Sequence, residues 1–366
     1  MLNAIKKNMY FFVSCFLVIL FKIYDKFFNK ESNKIDLETS YYKCEAEYLG
    51  LKFQLIMDNV SQISNRKTKF NVWKSGTDLD GKGSLHLAGN KKYCYDLFKK
   101  AGIPVPRYKI LKSGDFFGAV SFFREIKKPI VIKPARDTGD SSGVFVKLEN
   151  SFSIFIAVSY VKIFGNEMIV EEFIDGDNFR LLFCCGEFLS ACERIPSFVI
   201  CDGQSSIKQL IDKENQKRLE IGDLKPFDPD TRPILYKIKI TKSLKNFIRK
   251  QGYNLNSIPQ KGIKVNFQPI CHWYQGGSYY DVTDKIDQNF VEMAKKAVEL
   301  AGVKLAGVDL ITSDIENYQR GRCVINEINT TPGLLIHYEV QNQEKRIPVI
   351  RIILKKYFNL EGCNET

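Results

Sequence analysis

The stretch "VINEINTTPGLLIH" at residues 324–337 decides the fold, because it places polar side chains on a strand that ends in a turn. Its valine and isoleucine residues are typical of a β-strand. Glu327 and Asn329 lie two positions apart, so both side chains point to the same face of that strand. Pro332 and Gly333 then end the strand. The question is what a carboxylate and an amide on one strand face bind.

A neighbouring strand supplies a third polar side chain. The segment "AGVDLIT" carries Asp309, and the connection "SDIENYQRGR" that follows it is polar. In a simple hairpin centred near residue 318, Asp309 lies opposite Glu327, with Cβ atoms about 5 Å apart. Two acids and an amide in that arrangement predict a site for Mg²⁺, with Mn²⁺ as the alternative metal, at Asp309, Glu327 and Asn329. A solvated polar face of the sheet is the alternative interpretation.

A candidate phosphate-binding loop lies in "VIKPARDTGDSSGVFV". Lys133 ends a strand, and the backbone N–H groups of Gly139, Ser141, Ser142 and Gly143 are suited to cover phosphate oxygens. The loop is not a P-loop, since G-x-x-x-x-G-K-[ST] is absent and the loop joins two strands. The motif order excludes a protein kinase, and no G-x-G-x-x-G supports a dinucleotide fold. A plain β-hairpin is the alternative interpretation.

The composition limits the class of partner and the compartment. Lys and Arg exceed Asp and Glu by 54 − 42 = 12, which favours acidic partners such as nucleotide phosphates, although an ordinary basic surface explains it equally well. Ten cysteines without a C-x-x-C pair, together with three histidines, give no zinc motif and indicate a reducing compartment. No motif supports nucleic-acid binding.

The N-terminal residues 1–30 are hydrophobic. Lys6 and Lys7 precede a run of apolar and weakly polar residues at 9–21, which is shorter than the ~20 residues of a membrane-spanning helix. No signal-peptide cleavage site follows the run. We therefore expect a hydrophobic N-terminal helix, and three interpretations stay open: a short membrane anchor, an uncleaved interfacial helix, or a helix packed on the protein.

The rest of the chain predicts an α+β fold with antiparallel sheets, because strands and helices mix without strict βαβ alternation. Residues 29–40 look like a linker, the fold of 31–87 is uncertain, and "GTDLDGKGSLHLAGNKK" (76–92) is expected to be loop or turn. A strand pair is predicted around "DGDN" (175–178). Further helices are predicted at 90–100, 206–220 and 287–302, and further strands at 129–134, 143–148, 304–311 and 323–329.

Seven blocks occur in an order that is known from one superfamily. They are "NKKYCYDLFKKAGIPVPRY", "VIKPARDTGDSSG", "IVEEFIDGDNFRLL", "ERIPSFVICDGQSSIKQLI", "QGGSYYDVTD", "AGVDLI" and "INEINTTPGLLIH". The series resembles the ATP-grasp superfamily, and most of all the ligase domain shared by cyanophycin synthetases and bifunctional glutathione synthetases, over residues 88–340. The resemblance implies two α+β subdomains that grip ATP between antiparallel sheets. It places the ligase domain at 88–366, with a small ATP-binding lobe at about 100–168 and a C-terminal lobe with the metal site at 169–345.

The resemblance also implies roles for single residues. Arg180 and Arg194, together with Lys133, are the implied catalytic residues and would hold phosphate or a substrate carboxylate. Asn178 stands where relatives carry an acid on the ribose. The implied ATP-binding residues are Lys133, Gly139, Ser141, Ser142, Gly143, Glu171, Glu172, Phe173, Ile174 and Asn178. Asp309, Glu327 and Asn329 would bind two Mg²⁺ ions between the β- and γ-phosphates. For Glu171, Glu172 and Arg194, an ordinary exposed position is the alternative.

The function that the resemblance implies is an ATP- and Mg²⁺-dependent carboxylate–amine ligase that forms an amide or peptide bond through an acyl phosphate. Its expected partners are a small acid and an amine, such as an amino acid or peptide, with no nucleic acid. We expect a cytoplasmic homo-oligomer, with the N-terminus attached to the cytoplasmic face of a membrane if residues 1–30 bind lipid. Because no second ligase half is present, a two-domain cyanophycin polymerase and a bifunctional glutathione enzyme are not expected.

One block departs from the family pattern. Relatives show Asn-Leu-Ser-Thr-Gly-Gly before the Asp-Val-Thr-Asp block, whereas this chain has "HWYQGG". The Asn position holds His272, the Ser-Thr pair is Tyr274 and Gln275, and the expected arginine is Gln268. Loss of that cation leads to the alternative hypothesis, a catalytically impaired ATP-binding scaffold of the same fold.

Overall fold

A computed structural model of the protein describes residues 36–57, 60–135, 143–222, 236–271, 275–319 and 321–360. The predicted N-terminal helix at 1–30 lies outside these ranges. The same holds for five residues singled out in the sequence: Gly139, Ser141, Ser142, His272 and Tyr274. Within the described ranges, no helix combines the length and the apolar composition that crossing a bilayer requires.

The described elements confirm the α+β class, and every strand pairing among them is antiparallel. The helices are α1 (Leu37–Tyr48), α2 (Lys82–Ala88), α3 (Lys91–Lys100), α4 (Phe116–Ile126), α5 (Ser151–Val161), α6 (Ile207–Gly222), α7 (Lys242–Lys250), α8 (Gln288–Ala301) and α9 (Val349–Phe358). The strands are β1 (Lys52–Met57), β2 (Val60–Ser64), β3 (Lys69–Trp73), β4 (Gly76–Thr77), β5 (Tyr108–Lys112), β6 (Ile130–Pro134), β7 (Phe145–Leu148), β8 (Glu167–Glu172), β9 (Asp177–Cys184), β10 (Glu187–Ile195), β11 (Phe198–Ile200), β12 (Lys264–Asn266), β13 (Ser278–Asp281), β14 (Leu305–Thr312) and β15 (Cys323–Asn329).

The chain divides into two compact units, and the described part of the first is His86–Asp175. Its sheet has the strand order β5-β8-β6-β7, and α4 and α5 pack against each other beside it. Asp115 and Asn150 cap the N-termini of the two helices, because each side chain accepts a hydrogen bond from a backbone N–H of the first turn. Ile132 and Val170, both fully buried, belong to the core between the helices and the sheet.

The second unit contains Ile35–Leu85 and Gly176–Thr366, and its central sheet has the order β13-β10-β9-β14-β15. The helix α8 packs on β9, β10 and β14 through one apolar face that includes Phe290, Ala294 and Val298. It ends at Gly302, whose left-handed backbone conformation (φ 70°) favours glycine. Helix α8 therefore packs on three neighbouring strands of the central sheet.

Two further layers complete the second unit. The helix α1 and the four-stranded sheet β1-β2-β3-β4 share a core with α9, in which Tyr42, Phe70 and Ile353 are fully buried. The second layer is an insertion between β10 and β13. It consists of β11, α6, α7 and β12 and has a hydrophobic core of its own, which includes Ile211 and Ile248.

The predicted strand pair around residues 175–178 is wrong. The strands β8 and β9 exist as predicted, but β8 pairs with β5 and β6, whereas β9 pairs with β10 and β14 in a different sheet. A short connection between two apolar strands resembles a hairpin in the sequence. The partners of each strand are distant in the sequence, so the local pattern could not distinguish the two arrangements.

Two predictions of irregular structure are also partly wrong. Asp36 caps α1, so the predicted linker at 29–40 is helical from Leu37 onward. The stretch 76–92 contains β4, α2 and the start of α3, although its glycines and aspartates suggested a loop. Tertiary contacts hold this stretch in place, because the Asp80 carboxylate accepts hydrogen bonds from the N–H groups of Lys304 and Leu305 at the start of β14.

A buried carboxyl group links α1 to the segment that follows β15. Glu38 Oε1 accepts a hydrogen bond from the Leu334 N–H (3.2 Å), and its Oε2 accepts one from the Ser75 hydroxyl (3.0 Å). Burial raises the pKa of Glu38 from 4.5 to about 7, although both hydrogen bonds act in the opposite direction. The folded chain then binds a proton that the unfolded chain releases. The free energy of unfolding therefore falls as the pH rises from 4.5 to about 7.

We predict that Glu38→Gln reduces this pH dependence, because the amide stays neutral at every pH. Urea unfolding of the wild type and the variant, at about pH 5 and at about pH 7.5, measures the effect. The wild type should lose more stability than the variant between the two pH values. An identical loss in both proteins would contradict the assignment of the raised pKa to Glu38.

Candidate functional site

The predicted register of the last two strands is confirmed. Asp309 on β14 lies directly opposite Glu327 on β15, and Gly307 lies opposite Asn329. The Asn329 amide nitrogen donates to the Gly307 carbonyl at 3.4 Å. Asp309, Glu327 and Asn329 are all half-buried, so a fully solvated polar face does not describe them. The hairpin thus brings the two carboxylates and the amide together on neighbouring strands.

Two arginines bind the Asp309 carboxylate from the other side of β14. Arg180 on β9 is the cross-strand partner of Asp309, and its Nε and Nη2 donate to both carboxylate oxygens. Arg194 on β10 donates from Nη1 to Asp309 Oδ2 at 3.0 Å. The fork of Arg180 matches the carboxylate geometry, and both contacts are charge-assisted. Arg194 is therefore part of this cluster, and the alternative of a surface cation is wrong.

The charges of the cluster change the acidity of its members. Burial alone raises the pKa of Asp309, but the positive charges of Arg180 and Arg194 outweigh burial and hold this pKa below 3.8. Burial lowers the pKa of Arg194, yet the Asp309 carboxylate more than compensates and raises it above its ordinary value. Asp309 is therefore ionised at neutral pH, and the cluster carries one negative and two positive charges.

Gly307 makes the close approach of Arg180 to β14 possible. A Cβ atom at residue 307 would lie 2.7 Å from Arg180 Cδ, which is closer than such atoms approach, and 3.0 Å from Pro332 Cβ, which is a tight contact. The glycine in "AGVDLI" thus has a steric function in the site. Any side chain at this position would displace the guanidinium from Asp309.

A polar network around His337 lies in the same unit as the arginines. His337 is fully buried, and its Nδ1 lies 2.8 Å from the Ser190 hydroxyl and 3.1 Å from the Cys192 thiol. Burial, and to a smaller extent the positive charge of Arg180, lower the pKa of His337 to about 3. His337 therefore stays neutral at physiological pH. Asp281, from the Asp-Val-Thr-Asp block, accepts hydrogen bonds from Ser190 and Thr283, which ties β10 to β13.

In the first unit, Lys133 and Glu171 lie together in the sheet. Lys133 Nζ is 2.8 Å from Glu171 Oε1, and both side chains are almost fully buried. The Tyr95 hydroxyl donates to Glu171 Oε2 (3.0 Å) and accepts from Lys133 Nζ (3.1 Å). The alternative of an exposed strand residue is wrong for Glu171. Lys133 and Tyr95 thus engage both oxygens of the Glu171 carboxylate.

The predicted hinge residues follow at the end of β8. Glu172 accepts two side-chain hydrogen bonds from Arg107, and its own N–H donates to the Arg107 carbonyl. The Phe173 N–H donates to the Pro129 carbonyl, and Lys147 Nζ lies 5.8 Å from the centre of the Phe173 ring. Ile174 is half-buried. Asn178 belongs to the second unit, where it is the cross-strand partner of Arg194 on β10.

One residue of the predicted phosphate loop is described. Gly143 has a left-handed conformation (φ 78°), and a Cβ atom there would lie 2.9 Å from the Phe164 ring. Glycine is therefore required where the loop enters β7. The remaining residues, Gly139, Ser141 and Ser142, lie outside the described part of the chain.

Sequence reasoning missed Tyr95 and His337, which contact the predicted site residues or lie behind them. It also missed Lys91, a buried lysine whose backbone N–H donates to the carbonyl of Ala135, just after Lys133. Tyr95 and Lys91 occur in the first of the seven blocks, but nothing in their spacing relates them to Lys133. The burial of Lys91 is visible only in the structure, so nothing in the sequence indicated it.

Among the described residues, the candidate metal ligands are small sets of oxygen donors. No group of three or more histidine, cysteine, aspartate or glutamate side chains there is arranged to hold an ion. Two carboxylates with one amide, as at Asp309, Glu327 and Asn329, suit a hard cation that keeps water and phosphate oxygens in its shell. The arginines use both lone pairs of Asp309 Oδ2 and one of Oδ1, so Oδ1 is the atom of Asp309 that would bind a metal. The donor set therefore fits Mg²⁺.

Comparison with known proteins agrees with this geometry. The family profile "Phosphoribosylglycinamide synthetase, ATP-grasp (A) domain" matches residues 89–224. The chain is 29% identical over 300 residues to the cyanophycin synthetase of Trichormus variabilis, which corresponds to 80% of this chain and 32% of that protein. It is 26% identical over 311 residues to the bifunctional glutathione biosynthesis protein of Desulfotalea psychrophila, or 83% of this chain and 38% of that protein. The chain thus spans about a third of the length of these curated relatives.

A solved structure shares the fold. The crystal structure of a bifunctional glutathione synthetase from Pasteurella multocida superposes with a TM-score of 0.61 at 20% sequence identity. The match covers 90% of this chain and 44% of that chain. At this identity the similarity concerns the fold alone, and it agrees with the sequence match to the two curated families.

The buried pair of Lys133 and Glu171 predicts a strong stability effect. Glu171→Gln removes the carboxylate beside a buried ammonium group, so we expect a loss of about 3–5 kcal/mol in the free energy of unfolding. Lys133→Met combined with Glu171→Gln should recover most of that loss, because no charge is then left buried. Urea unfolding measures both variants, with Glu125→Gln, an exposed change in the same unit, as the control. A double variant that is less stable than Glu171→Gln alone would contradict the pairing.

Proposed function

We propose that this chain is an ATP- and Mg²⁺-dependent carboxylate–amine ligase of the ATP-grasp superfamily, which the family match and the sequence relatives support. The observation that carries the proposal is the cluster on the central sheet of the second unit, where Asp309 lies between two arginines and opposite Glu327. Such a cluster combines ligands for a cation with donors for phosphate or carboxylate oxygens. These are the two requirements of phosphoryl transfer from a nucleotide to a carboxylate.

The proposal assigns the nucleotide contacts residue by residue. Lys133 contacts phosphate oxygens, and Glu171 and Tyr95 hold its ammonium group in place beforehand. Residues 171–174 form the hinge beside adenine and contribute backbone groups, and Asn178 contacts the ribose. The loop 137–143 covers the phosphates, and the left-handed Gly143 begins its return to the sheet.

The metal-binding residues of the proposal are Asp309, Glu327 and Asn329. These residues would hold Mg²⁺, which would supply charge neutralisation to the nucleotide phosphates. Mn²⁺ has similar oxygen preferences and is the natural substitute in experiments. Arg180 keeps the Asp309 carboxylate ionised and in a fixed orientation, so the ligand set is ready before the nucleotide arrives.

The proposed reaction has two steps, and the arginines act in the first. An oxygen of the substrate carboxylate attacks the γ-phosphorus, and the bond from that phosphorus to the β–γ bridging oxygen breaks, with the electron pair leaving on ADP. Arg194 and Lys133 lower the repulsion between the carboxylate and the phosphates, and Arg180 contributes to the same positive field. The product of this step is an acyl phosphate.

In the second step, the nitrogen of the amine substrate attacks the carbonyl carbon of the acyl phosphate. The bond between that carbon and the phosphate oxygen breaks, inorganic phosphate leaves, and the nitrogen gives up a proton to solvent. The acids and amines that we propose are amino acids, peptides or similar small molecules. ATP as a substrate implies that the enzyme works in the cytoplasm. A homo-oligomer remains a prediction.

The test is ligation by the purified full-length protein. Incubation with Mg²⁺-ATP and pools of amino acids and dipeptides should release phosphate only when both an acid and an amine are present, and a new amide mass should appear. Nucleotide binding without phosphate release would favour the impaired scaffold. The observation behind that alternative is Gln268, a buried residue where relatives carry an arginine.

We predict that Glu327→Gln lowers the rate of phosphate release by at least about 100-fold, because a neutral amide is a poor ligand for Mg²⁺. Glu299→Gln, an exposed change on α8, is the matched control and should keep the wild-type rate. Thermal unfolding of both variants separates a loss of activity from a loss of folding. Wild-type activity in a folded Glu327→Gln protein would refute the metal assignment.

A further inference from the structure

The insertion between β10 and β13 has an unusual distribution of charge. We call it the basic lobe and define it as residues 198–222 and 236–266, which include β11, α6, α7 and β12. Residues 236–271 contain eight lysine and arginine residues and no aspartate or glutamate. All eight side chains are exposed; they are Lys237, Lys239, Lys242, Lys245, Arg249, Lys250, Lys261 and Lys264. The net charge of the whole chain is +12, so this short segment accounts for much of it.

These basic side chains have few intramolecular partners of opposite charge. None of the ion pairs between described residues involves any of the eight. Lys264 lies over the Phe198 ring, and Arg249 donates to the Asn246 side chain. The acids of the lobe lie on α6 and in the turn before it, where Asp202 pairs with Lys213. Lys264 also interacts electrostatically with Glu193. A concentration of exposed positive charge with little compensation from described acids attracts an anionic partner.

The helix α7 presents part of this charge as a row beside a pocket. Lys242, Lys245 and Arg249 are spaced by three and four residues and therefore lie on one face of the helix, whereas Leu244 and Ile248 are buried in the lobe. A pocket of about 350 Å³ lies against that row. It is lined by Lys245, Arg249, Asn254, Leu255 and Asn256. Cations and amide groups around one concave surface are suited to carboxylates, which accept several hydrogen bonds at once.

The connections of the lobe relate it to the proposed site. The chain enters the lobe directly after β10 and returns to β13, and these two strands pair with Arg194 opposite Tyr279. The Phe267 N–H donates to the Ser197 carbonyl, so the entry and exit of the lobe lie side by side. Both connections thus leave the sheet close to Arg194. The lobe therefore joins the sheet at the end where Arg194 binds Asp309.

We propose that the basic lobe binds a carboxylate-rich peptide, with acidic side chains in the pocket beside α7, and that this peptide is the acid substrate of the ligase. The second half of this statement rests on the proposed function. A nucleic acid fits less well, because no aromatic side chain among the described residues of the lobe is fully exposed for base stacking. A flat membrane surface does not fill a concave pocket.

The test measures binding without ATP, by fluorescence anisotropy of a labelled oligoglutamate added to the full-length protein. An uncharged oligoglutamine is the control ligand, and unlabelled oligothymidylate and phosphatidylserine vesicles are competitors. We expect oligoglutamate to bind and its affinity to fall as salt is added. Either competitor should displace it poorly. Equal affinity for oligoglutamine, or efficient displacement by oligothymidylate or vesicles at matched charge, would overturn the proposal.

Two triple variants make the test specific to the lobe. Lys242→Gln, Lys245→Gln and Arg249→Gln combined should weaken oligoglutamate binding by about tenfold or more. Lys99→Gln, Lys100→Gln and Lys128→Gln combined remove the same charge from exposed positions of the first unit and should leave the affinity nearly unchanged. Equal losses of affinity in both variants would show that binding depends only on the net charge of the protein, which would overturn the proposal. Circular dichroism checks that both variants are folded.

Kinetics separate this inference from the proposed function. If the protein is a ligase, the lobe variant should raise KM for an acidic peptide while kcat, and the rate with a single amino acid as the acid, stay unchanged. Ligation of amino acids without any binding of oligoglutamate refutes only the peptide site. Oligoglutamate binding to the lobe without any ATP-dependent ligation refutes the ligase and its use of the peptide, while the binding site stands.

Discussion

The ionised carboxylate of Asp309, held between Arg180 and Arg194, is the interaction on which the site of the second unit depends. Two guanidinium groups packed in a protein need a counter-charge, since burial of an uncompensated cation costs several kcal/mol. Asp309 provides that charge, and the arginines in return keep it ionised at every physiological pH. The same carboxylate lies opposite Glu327, so one strand position links the cationic part of the cluster to the proposed metal ligands.

The surrounding structure is adapted to this cluster. Gly307 leaves room for the Arg180 side chain, and a neutral His337 behind it adds no further positive charge. In the first unit, Lys133 has a comparable environment, because Glu171 and Tyr95 fix its ammonium group in the absence of a ligand. Preorganised charges of this kind are suited to phosphoryl transfer, in which the protein supplies position and electrostatic stabilisation rather than proton chemistry.

The sequence predicted those features that depend on local patterns. The strand alternation and the length of the polar connection were sufficient to place Asp309 opposite Glu327, because register in a simple hairpin follows from the spacing. It did not predict that Arg180 binds Asp309, since these residues are 129 positions apart and meet only through the pairing of β9 with β14. Tyr95 was missed for the same reason, and the false hairpin at 175–178 shows that adjacent strands need not pair. The family resemblance supplied the roles of the arginines, which no spacing could have given.

The central claim is that Asp309, Glu327 and Asn329 bind a divalent ion together with a nucleotide, and electron paramagnetic resonance of Mn²⁺ tests it most directly. Mn²⁺ is titrated into the full-length protein with ADP, and the free-ion signal reports how much metal is bound. The account predicts a protein–nucleotide–metal complex in the wild type, and bound Mn²⁺ reduced to the level of ADP alone in a folded Glu327→Ala variant. Equal Mn²⁺ binding by the wild type and this variant would contradict it.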